Sequence, residues 1–218
     1  MKTAVMVQQE IAARAVIEAE EAERQRIAKD LHDGVGQMMS AARMNLSAFE
    51  EVVTFRSETE KQDFDRIVGL VDESCREVRA VSHNMMPNAL LKQGLASAIR
   101  EFIHKLDQKK IRVQLYTEGL EERLDSNLET VLYRVIQECV NNVIRHAGGS
   151  TVDISVVREN DIIRGTIEDN GKGFDTQNHE EGLGLKNIRT RIDYLKGTVE
   201  VDSAPGKGTL VAFHVPLN

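Results

Sequence analysis

The chain has 218 residues, of which 41% are hydrophobic and 4% aromatic, and it contains no tryptophan. This length suits one large domain or two modest ones. The formal net charge is −7, which argues against a nucleic-acid binder that works by overall charge, and few aromatic side chains are present to stack on bases. Any anion that the protein binds must therefore be held by a local site.

The two cysteines, Cys75 and Cys139, do not have the spacing of a disulfide framework or a zinc site. A reducing cytosol is the natural compartment for such a chain. No apolar run approaches the roughly 20 residues that span a bilayer, and the first residues lack a signal-peptide core. We expect a cytoplasmic location, and the alternative of a cytosolic part of a longer membrane-anchored sensor stays open.

The first fifty residues predict one long helix. Residues 4 to about 53 contain neither glycine nor proline before Gly34, and they are rich in good helix formers. Apolar residues recur at spacings of three and four, which predicts an amphipathic helix. Residues 1–22 continue this spacing with a poorer apolar face, so we interpret them as a coiled-coil lead-in. The apolar stripe comprises Ile27, Leu31, Val35, Met38, Ala42, Leu46 and Phe49.

A second amphipathic helix is predicted after a turn at residues 54–61, where Ser57 or Thr59 is a suitable N-cap. Two such helices form a hairpin, and neither buries its apolar face fully against the other. A symmetric dimer with a four-helix bundle is therefore the simplest arrangement, and a monomeric hairpin packed on the rest of the chain is the alternative. The second stripe comprises Phe64, Ile67, Val71, Cys75 or Ser74, Val78, Val81 and Met85.

Pro87 cannot continue a helix interior, so we place a domain boundary at residues 84–90. The elements beyond it predict an α/β sandwich, a mixed sheet with helices on one face. The whole chain is then an α+β protein with a lead-in at 1–22, a helical domain at 23–86 and an α/β domain at 90–218. The predicted elements are helices at about 92–108, 126–147 and 184–196, and strands at about 111–117, 151–158, 162–168, 197–202 and 209–215.

One polar helix face in the second domain could bind a metal ion and phosphates. Glu138 and Asn142 lie four residues apart and share a face, with Arg145 three residues further on. A carboxylate and an amide oxygen in register can hold a hydrated Mg²⁺, and Arg145 and His146 can meet phosphates. A polar face exposed to solvent explains the same pattern equally well.

Two glycine-rich turns follow. Asp169 ends a predicted strand, and Gly171 and Gly173 after it let the backbone turn tightly and approach a ligand. A simple strand-ending turn is the other interpretation. Gly182 and Gly184 open a predicted helix whose first N–H groups would face a phosphate, although a Gly-x-Gly pattern is weak by itself.

The order of these stretches, with the closing Gly-Lys-Gly-Thr at 206–209, resembles the Bergerat-fold (GHKL) ATP-binding domain. That family includes histidine kinases, type II topoisomerases, heat-shock chaperones of the ninety-kilodalton class and mismatch-repair ATPases. The resemblance covers about residues 92–218 and implies ATP and Mg²⁺ as cofactors. It implies that Asp169 recognises the adenine amino group, that Asn142 binds Mg²⁺ and that Thr209 supports the adenine pocket. The implied site comprises Asn142, Arg145, His146, Asp169, Gly171, Gly173, Gly182, Gly184 and Thr209, with Glu138 and Asn142 at the metal.

Residues 26–37 read Arg-Ile-Ala-Lys-Asp-Leu-His-Asp-Gly-Val-Gly-Gln. They resemble the acceptor box of the histidine kinase subfamily that has a His-Asp dipeptide, the subfamily of nitrate sensors and a bacillus-type membrane thermosensor. The resemblance implies that ATP phosphorylates His32 and that Asp33 is its acid–base partner. It also implies that Gln37 positions water in the reverse, phosphatase reaction.

Helix geometry adds an expectation about these residues. In an α-helix the i±4 neighbours of His32 are Ala28 and Gly36, both small, so the imidazole would have space on either side. Asp33 lies about 100° around the helix from His32. It must therefore reach His32 by its rotamer, through the backbone or through a water molecule. Asp33 and Gln37, four residues apart, share a face.

Together these features predict the catalytic core of a dimeric sensor histidine kinase, which phosphorylates His32 and passes the group to an aspartate of a response regulator. The resemblance implies a regulator with a helix-turn-helix output domain, so that this chain itself need not contact nucleic acid, and phosphatase activity toward that regulator. A membrane would be reached only through an upstream sensor part. An ATPase with purely dimerising helices and a non-enzymatic scaffold stay open as alternatives. Glu138 is either a ligand of metal or water or a general base for ATP hydrolysis.

Overall fold

The computed structural model describes residues 2–176 and 182–217. By its packing the chain divides into two units, one formed by Ala19–Pro87 and the other by Met1–Glu18 together with Asn88–Asn218. The division after Pro87 lies within the predicted boundary region, and the residues of the predicted lead-in fall in both units. In the described part of the chain, no helix is long and apolar enough to cross a membrane.

One almost continuous helix carries the acceptor motif. Helix α1 spans Lys2–Asp30, a π-helical segment follows over Leu31–Gly36, and α2 continues over Gln37–Val52. The prediction of a single α-helix is therefore wrong over six residues. There the backbone hydrogen bonds run between residues five apart instead of four.

Helix α3 completes the hairpin over Glu58–Met85. Ser57, one of the two predicted N-caps, accepts a hydrogen bond from the backbone N–H of Glu60 at 3.2 Å. The extended backbone of Met86 ends the helix, because the residue before a proline disfavours the helical conformation. Among the α3 side chains whose burial is described, Phe64, Cys75 and Ser82 are buried. Large apolar side chains stay exposed on the hairpin at Met38, Met44, Phe49, Val52, Ile67, Leu70 and Val81.

Two short helices open the second unit, α4 over Asn88–Gln93 and α5 over Leu95–His104. The prediction of one helix over 92–108 is wrong because Gly94 separates the two with a φ of 87°. This left-handed conformation favours glycine and is incompatible with a continuous helix.

Helix α6 and helix α7 cover the sheet. Helix α6 spans Ser126–Asn142 and is capped by Asp125, whose carboxylate accepts from the first free backbone N–H groups. It passes into a second π-helical segment over Val143–Ala147, where an α-helix was predicted. Helix α7 spans Leu183–Tyr194. The buried core of this unit includes Ile99, Leu132, Val135, Ile136, Ile188 and Ile192.

The strands form one mixed sheet in the order β1-β2-β3-β5-β4. Strand β1 pairs with β2 in parallel, and the other neighbours pair antiparallel. Side chains alternate between a buried face toward the helices and an exposed face, as in β3. The predicted α/β sandwich is confirmed. The strands are β1 Arg112–Glu118, β2 Thr151–Glu159, β3 Ile162–Asp169, β4 Thr198–Ser203 and β5 Thr209–Pro216.

Candidate functional site

The acceptor motif places an exposed histidine beside a carboxylate. His32 lies in the first π-helical segment with a side chain 59% exposed, and its Nδ1 is 2.9 Å from Asp33 Oδ1. A neutral imidazole has one N–H, and a carboxylate only accepts, so the contact favours the proton on Nδ1 and leaves the lone pair on Nε2. Of the routes open to Asp33, the structure shows the direct one through its rotamer.

Gln37 begins α2 directly after the π-helical segment. In an α-helix Gln37 and Asp33, four residues apart, would share a face. Here the backbone N–H of Gln37 donates to the carbonyl oxygen of Gly34, so the turn that leads into α2 is not regular α-helix. The common face of Asp33 and Gln37 stays a prediction.

The two glycines of the motif differ in their surroundings. A Cβ built on Gly36 would lie 3.3 Å from the carbonyl oxygen of Leu31, whereas one on Gly34 would meet no described atom within 4 Å. Of the two motif glycines, Gly36 is therefore the one with a close backbone contact. Gly36 lies in the same π-helical segment as His32, and the space that Ala28 and Gly36 would leave beside the imidazole stays a prediction.

A cavity of about 610 Å³ opens in the second unit, between α6, the second π-helical segment, the end of β3 and the start of α7. Its volume is typical of small-molecule sites. Arg145 and His146 reach it from the π-helical segment, where both are exposed. The structure brings these predicted site residues to its walls: Glu138, Asn142, Arg145, His146, Asp169, Gly173, Gly182, Gly184 and Thr209.

Asp169 is held in a fixed orientation at the end of β3. It is 8% exposed, and its Oδ1 accepts from the backbone N–H of Gly171 at 2.7 Å. Gly171 has no room for a side chain, since a Cβ would stand 2.7 Å from the carbonyl oxygen of Ala147 and from Asp169 Oδ1. The turn thus requires glycine and sets the carboxylate against the cavity.

The start of α7 lies against two polar side chains of α6. A Cβ on Gly184 would stand 2.7 Å from Glu138 Oε1 and 3.0 Å from the amide atoms of Asn142. The first N–H groups of α7 carry partial positive charge and share this space with the carboxylate and the amide. One oxygen from each of Glu138 and Asn142, completed by water and phosphate oxygens, is a donor set that Mg²⁺ accepts. The described residues contain no cluster of three acidic, histidine or cysteine side chains suited to a metal, so side chains alone do not form a metal cage there.

Ser203, which the sequence analysis missed, bonds to two residues of the cavity wall, Phe174 and Thr209. Its buried hydroxyl donates to the carbonyl of Gly208 at 2.8 Å, and it accepts from the backbone N–H of Phe174 at 3.0 Å. A hydroxyl has one proton to donate, so Thr209 is the donor in its 3.0 Å contact with Ser203. The Thr209 oxygen keeps lone pairs that can accept from a ligand.

Asn170 was also missed. Its Oδ1 accepts from the backbone N–H groups of Ser150 and Thr151 at 2.8 and 2.9 Å. It joins the turn after β3 to the start of β2 and so supports the position of Asp169. The signal available in the sequence was only that asparagine commonly bonds to nearby backbone in turns. The resemblance to the Bergerat fold also predicts an ATP lid at residues 174–182, which contains His179. Residues 177–181 of this lid lie outside the described residues.

Comparison with known families agrees with this geometry. A model described as "Histidine kinase" matches residues 23–90, and one described as "Histidine kinase-, DNA gyrase B-, and HSP90-like ATPase" matches residues 127–218. The first contains the acceptor motif and the second contains the cavity. The chain belongs to the histidine kinase family, and its second domain is an ATP-binding domain of the gyrase- and HSP90-like type.

Individual relatives extend this finding. Sensor protein VraS from Staphylococcus aureus (strain COL) and from Staphylococcus haemolyticus (strain JCSC1435) are each 34% identical over 199 residues, which cover 91% of this chain and 56% of theirs. The chain therefore spans about half the length of the curated relatives it matches. The histidine kinase domain of the Erythrobacter litoralis EL346 blue-light activated histidine kinase has a TM-score of 0.50 at 16% identity, covering 82% of this chain and 96% of that one. This likeness concerns the fold.

Proposed function

We propose that this protein transfers the γ-phosphoryl group of ATP to His32 and then to an aspartate of a response regulator. The observation that carries the proposal is the 2.9 Å contact between His32 Nδ1 and Asp33 Oδ1. This contact leaves Nε2 as the nucleophile on an exposed side chain, in a chain that also contains an ATP-binding domain.

The reaction balances with these two side chains. Nε2 of His32 attacks the γ-phosphorus, and a P–N bond forms as the bond from that phosphorus to the bridging oxygen of ADP breaks. The ring becomes positively charged, and the carboxylate of Asp33 stabilises this charge and accepts the Nδ1 proton. In the second step a regulator carboxylate attacks the phosphorus, the P–N bond breaks with its electron pair returning to Nε2, and the ring takes its proton back from Asp33.

The cavity residues have corresponding roles in this proposal. Asp169 accepts from the adenine amino group, with Thr209 as a second acceptor beside it. The backbone N–H groups at the start of α7, where Gly182 and Gly184 lie, bind the phosphates together with Arg145 and His146. Gly171 and Gly173 allow the close approach of backbone to nucleotide. Mg²⁺, held by Asn142 with Glu138, would neutralise charge that develops on the phosphates.

We propose a homodimer, because the hairpin leaves large apolar side chains exposed that a four-helix bundle would cover. The proposed partner is a response regulator with a helix-turn-helix output domain, and the proposed location is the cytosol. The chain acts as a phosphatase of the same regulator, with Gln37 positioning the attacking water. What supports these finer points is the resemblance of the acceptor motif.

Incubation with γ-labelled ATP tests the proposed kinase. We expect an acid-labile, alkali-stable label on the protein, which His32→Gln abolishes. His104→Gln is the matched control, since His104 is an exposed histidine on α5 outside the cavity, and it should keep the label. Label that survives in His32→Gln contradicts the proposal. ATP hydrolysis without protein label would support the alternative of an ATPase with dimerising helices.

A further inference from the structure

Ser82 is a polar residue on the buried face of α3. It is 7% exposed, and its hydroxyl donates to the carbonyl oxygen of Ala28 on α1 at 2.8 Å. Ala28 is itself 5% exposed. A buried hydroxyl needs such a partner, and this one is found on the other helix of the hairpin within the same unit.

The carbonyl group of Ala28, which accepts this hydrogen bond, lies just before the π-helical segment. In an α-helix the carbonyl of residue 28 pairs with the amide of residue 32, which here is His32. Three residues after Ala28 the chain leaves α-helical geometry for the π-helical segment at Leu31–Gly36. A side chain that inserts into the hydrogen-bond ladder of a helix is a known cause of kinks, and π-helical turns often mark functional sites.

At the other end of the π-helical segment, a serine hydroxyl also donates a hydrogen bond to a backbone carbonyl. Ser40 donates to Gly36 at 2.9 Å, but from within the same helix. Such bonding to one's own helix is common for serine and needs no tertiary structure. Ser82 is different, because its bond makes the geometry of α1 near His32 depend on the position of α3.

We propose that Ser82 is a positioning residue for phosphoryl transfer, whose bond to Ala28 stabilises the π-helical segment and so orients the imidazole of His32. This inference rests on the proposed function, in which His32 is the acceptor. Ser82 touches neither the imidazole nor the nucleotide, and it acts through the backbone of α1. Nucleotide binding belongs to the other unit and does not depend on it.

Kinetics of three full-length variants test this role. In Ser82→Ala we expect kcat of autophosphorylation to fall about threefold to tenfold, the effect of one net hydrogen bond. The KM for ATP should stay within about twofold, because the substrate site is intact. Ser74→Ala is the matched control on the same helix, since the Ser74 hydroxyl bonds at 2.9 Å to Leu70 of its own helix, and it should change neither constant. His32→Gln tests the acceptor in parallel.

Amide hydrogen exchange supplies a readout that general destabilisation does not reproduce. We expect faster exchange confined to residues 31–36 and their immediate neighbours in Ser82→Ala, and none in Ser74→Ala. Ser82→Cys keeps a similar volume with a weaker donor, so it should show a smaller effect of the same kind and serves if the alanine variant does not fold.

Wild-type kcat and wild-type exchange in the Ser82 variants would overturn the inference. Equal acceleration of exchange along the whole hairpin would also overturn it, since that pattern means lost stability without a specific effect on the segment. Label retained in His32→Gln would instead overturn the proposed function, and the exchange data would still show whether Ser82 supports the π-helical segment.

Discussion

Asp33 and His32 are adjacent in the chain, and their contact determines which ring nitrogen can react. An α-helix separates neighbouring side chains by about 100°, yet Asp33 Oδ1 reaches His32 Nδ1 at 2.9 Å. Residue types alone identify a histidine and a carboxylate. The engaged nitrogen follows only from the rotamer of Asp33, and in the proposed reaction this leaves Nε2 as the nucleophile.

Cys139 provides a prediction about proton binding at a single residue. It lies in the wall of the cavity and is 4% exposed. Burial, with a smaller contribution from the Glu138 carboxylate, raises the pKa of the Cys139 thiol from 9.0 to about 12. The thiol therefore stays protonated at pH 8, and we expect alkylation of Cys139 to be slow in the native protein and fast after unfolding.

The same shift in pKa affects stability at alkaline pH. The folded state binds the thiol proton more tightly than the unfolded state, so this contribution to the free energy of unfolding is complete below about pH 9 and is lost as the pH rises toward 12. Thermal unfolding at several pH values should show this loss in the wild type and less of it in Cys139→Ala. Mass spectrometry of the alkylated peptides separates Cys139 from Cys75, and rapid alkylation of native Cys139 at pH 8 would contradict the prediction.

At the scale of the element, the strands were predictable and the π-helical segments were not. Strand β3 alternates buried and exposed side chains along its length, and that period is visible in the residue types. The first π-helical segment has no such periodicity. We attribute it to the Ser82 hydroxyl, whose bond to Ala28 joins residues 54 apart in the chain, a separation over which local patterns carry no information.

Gly94 is a second example of a feature that local sequence patterns do not predict. A glycine within an apolar helical pattern is often tolerated, and the sequence left it inside one predicted helix. In the structure a Cβ at Gly94 would stand 3.0 Å from Glu129 Oε1 and 3.1 Å from Arg123 Cδ. The break between α4 and α5 thus depends on contacts with α6 and the loop before it.

Some residues of the candidate site were predictable from the sequence, and others were not. Asp169, Asn142 and the glycines belong to short motifs whose spacing is visible in the chain, and the structure places Asn142 and Asp169 on one cavity. Ser203 and Asn170 act by bonding to backbone groups of distant segments. Short polar residues of this kind are common in turns and strand ends, so their roles follow only from the fold.

The π-helical turn leads to a prediction for Gln37. Gln37 begins α2 directly after the segment that contains His32, so a water held by its side-chain amide would lie near the phosphoryl group. We expect Gln37→Ala to slow dephosphorylation of the phosphorylated regulator at least about tenfold, because the attacking water would no longer be positioned. Autophosphorylation should change little, since Gln37 takes no part in that step.

Measurement of both activities on the same preparation decides the role of Gln37. Gln62→Ala is the control, because Gln62 is an exposed glutamine on the other helix of the hairpin. Equal losses of kinase and phosphatase activity in Gln37→Ala would mean that this side chain only supports the helix.

At the scale of the whole molecule, the hairpin leaves apolar surface unburied. The buried residues described on α3 are Phe64, Cys75 and Ser82. They lie on one face of the helix, which packs against the other helices of the unit. A neighbouring face carries Ile67 and Leu70, which are 50% and 58% exposed. Large contiguous apolar surfaces on soluble proteins mark interaction sites, and a second copy of the hairpin supplies a self-complementary surface.

Ile67→Glu tests this dimer. A buried isoleucine contributes about 1.5–3 kcal/mol, and a symmetric dimer loses two, so the dimer Kd should rise at least about a hundredfold. Gln62→Glu adds the same charge at an exposed polar position of α3, and it should leave the dimer intact. Light scattering after size exclusion gives the mass of each variant, and circular dichroism shows whether the helices remain. A wild-type monomer, or a dimer in Ile67→Glu as stable as the control, would contradict the bundle and favour a monomeric hairpin.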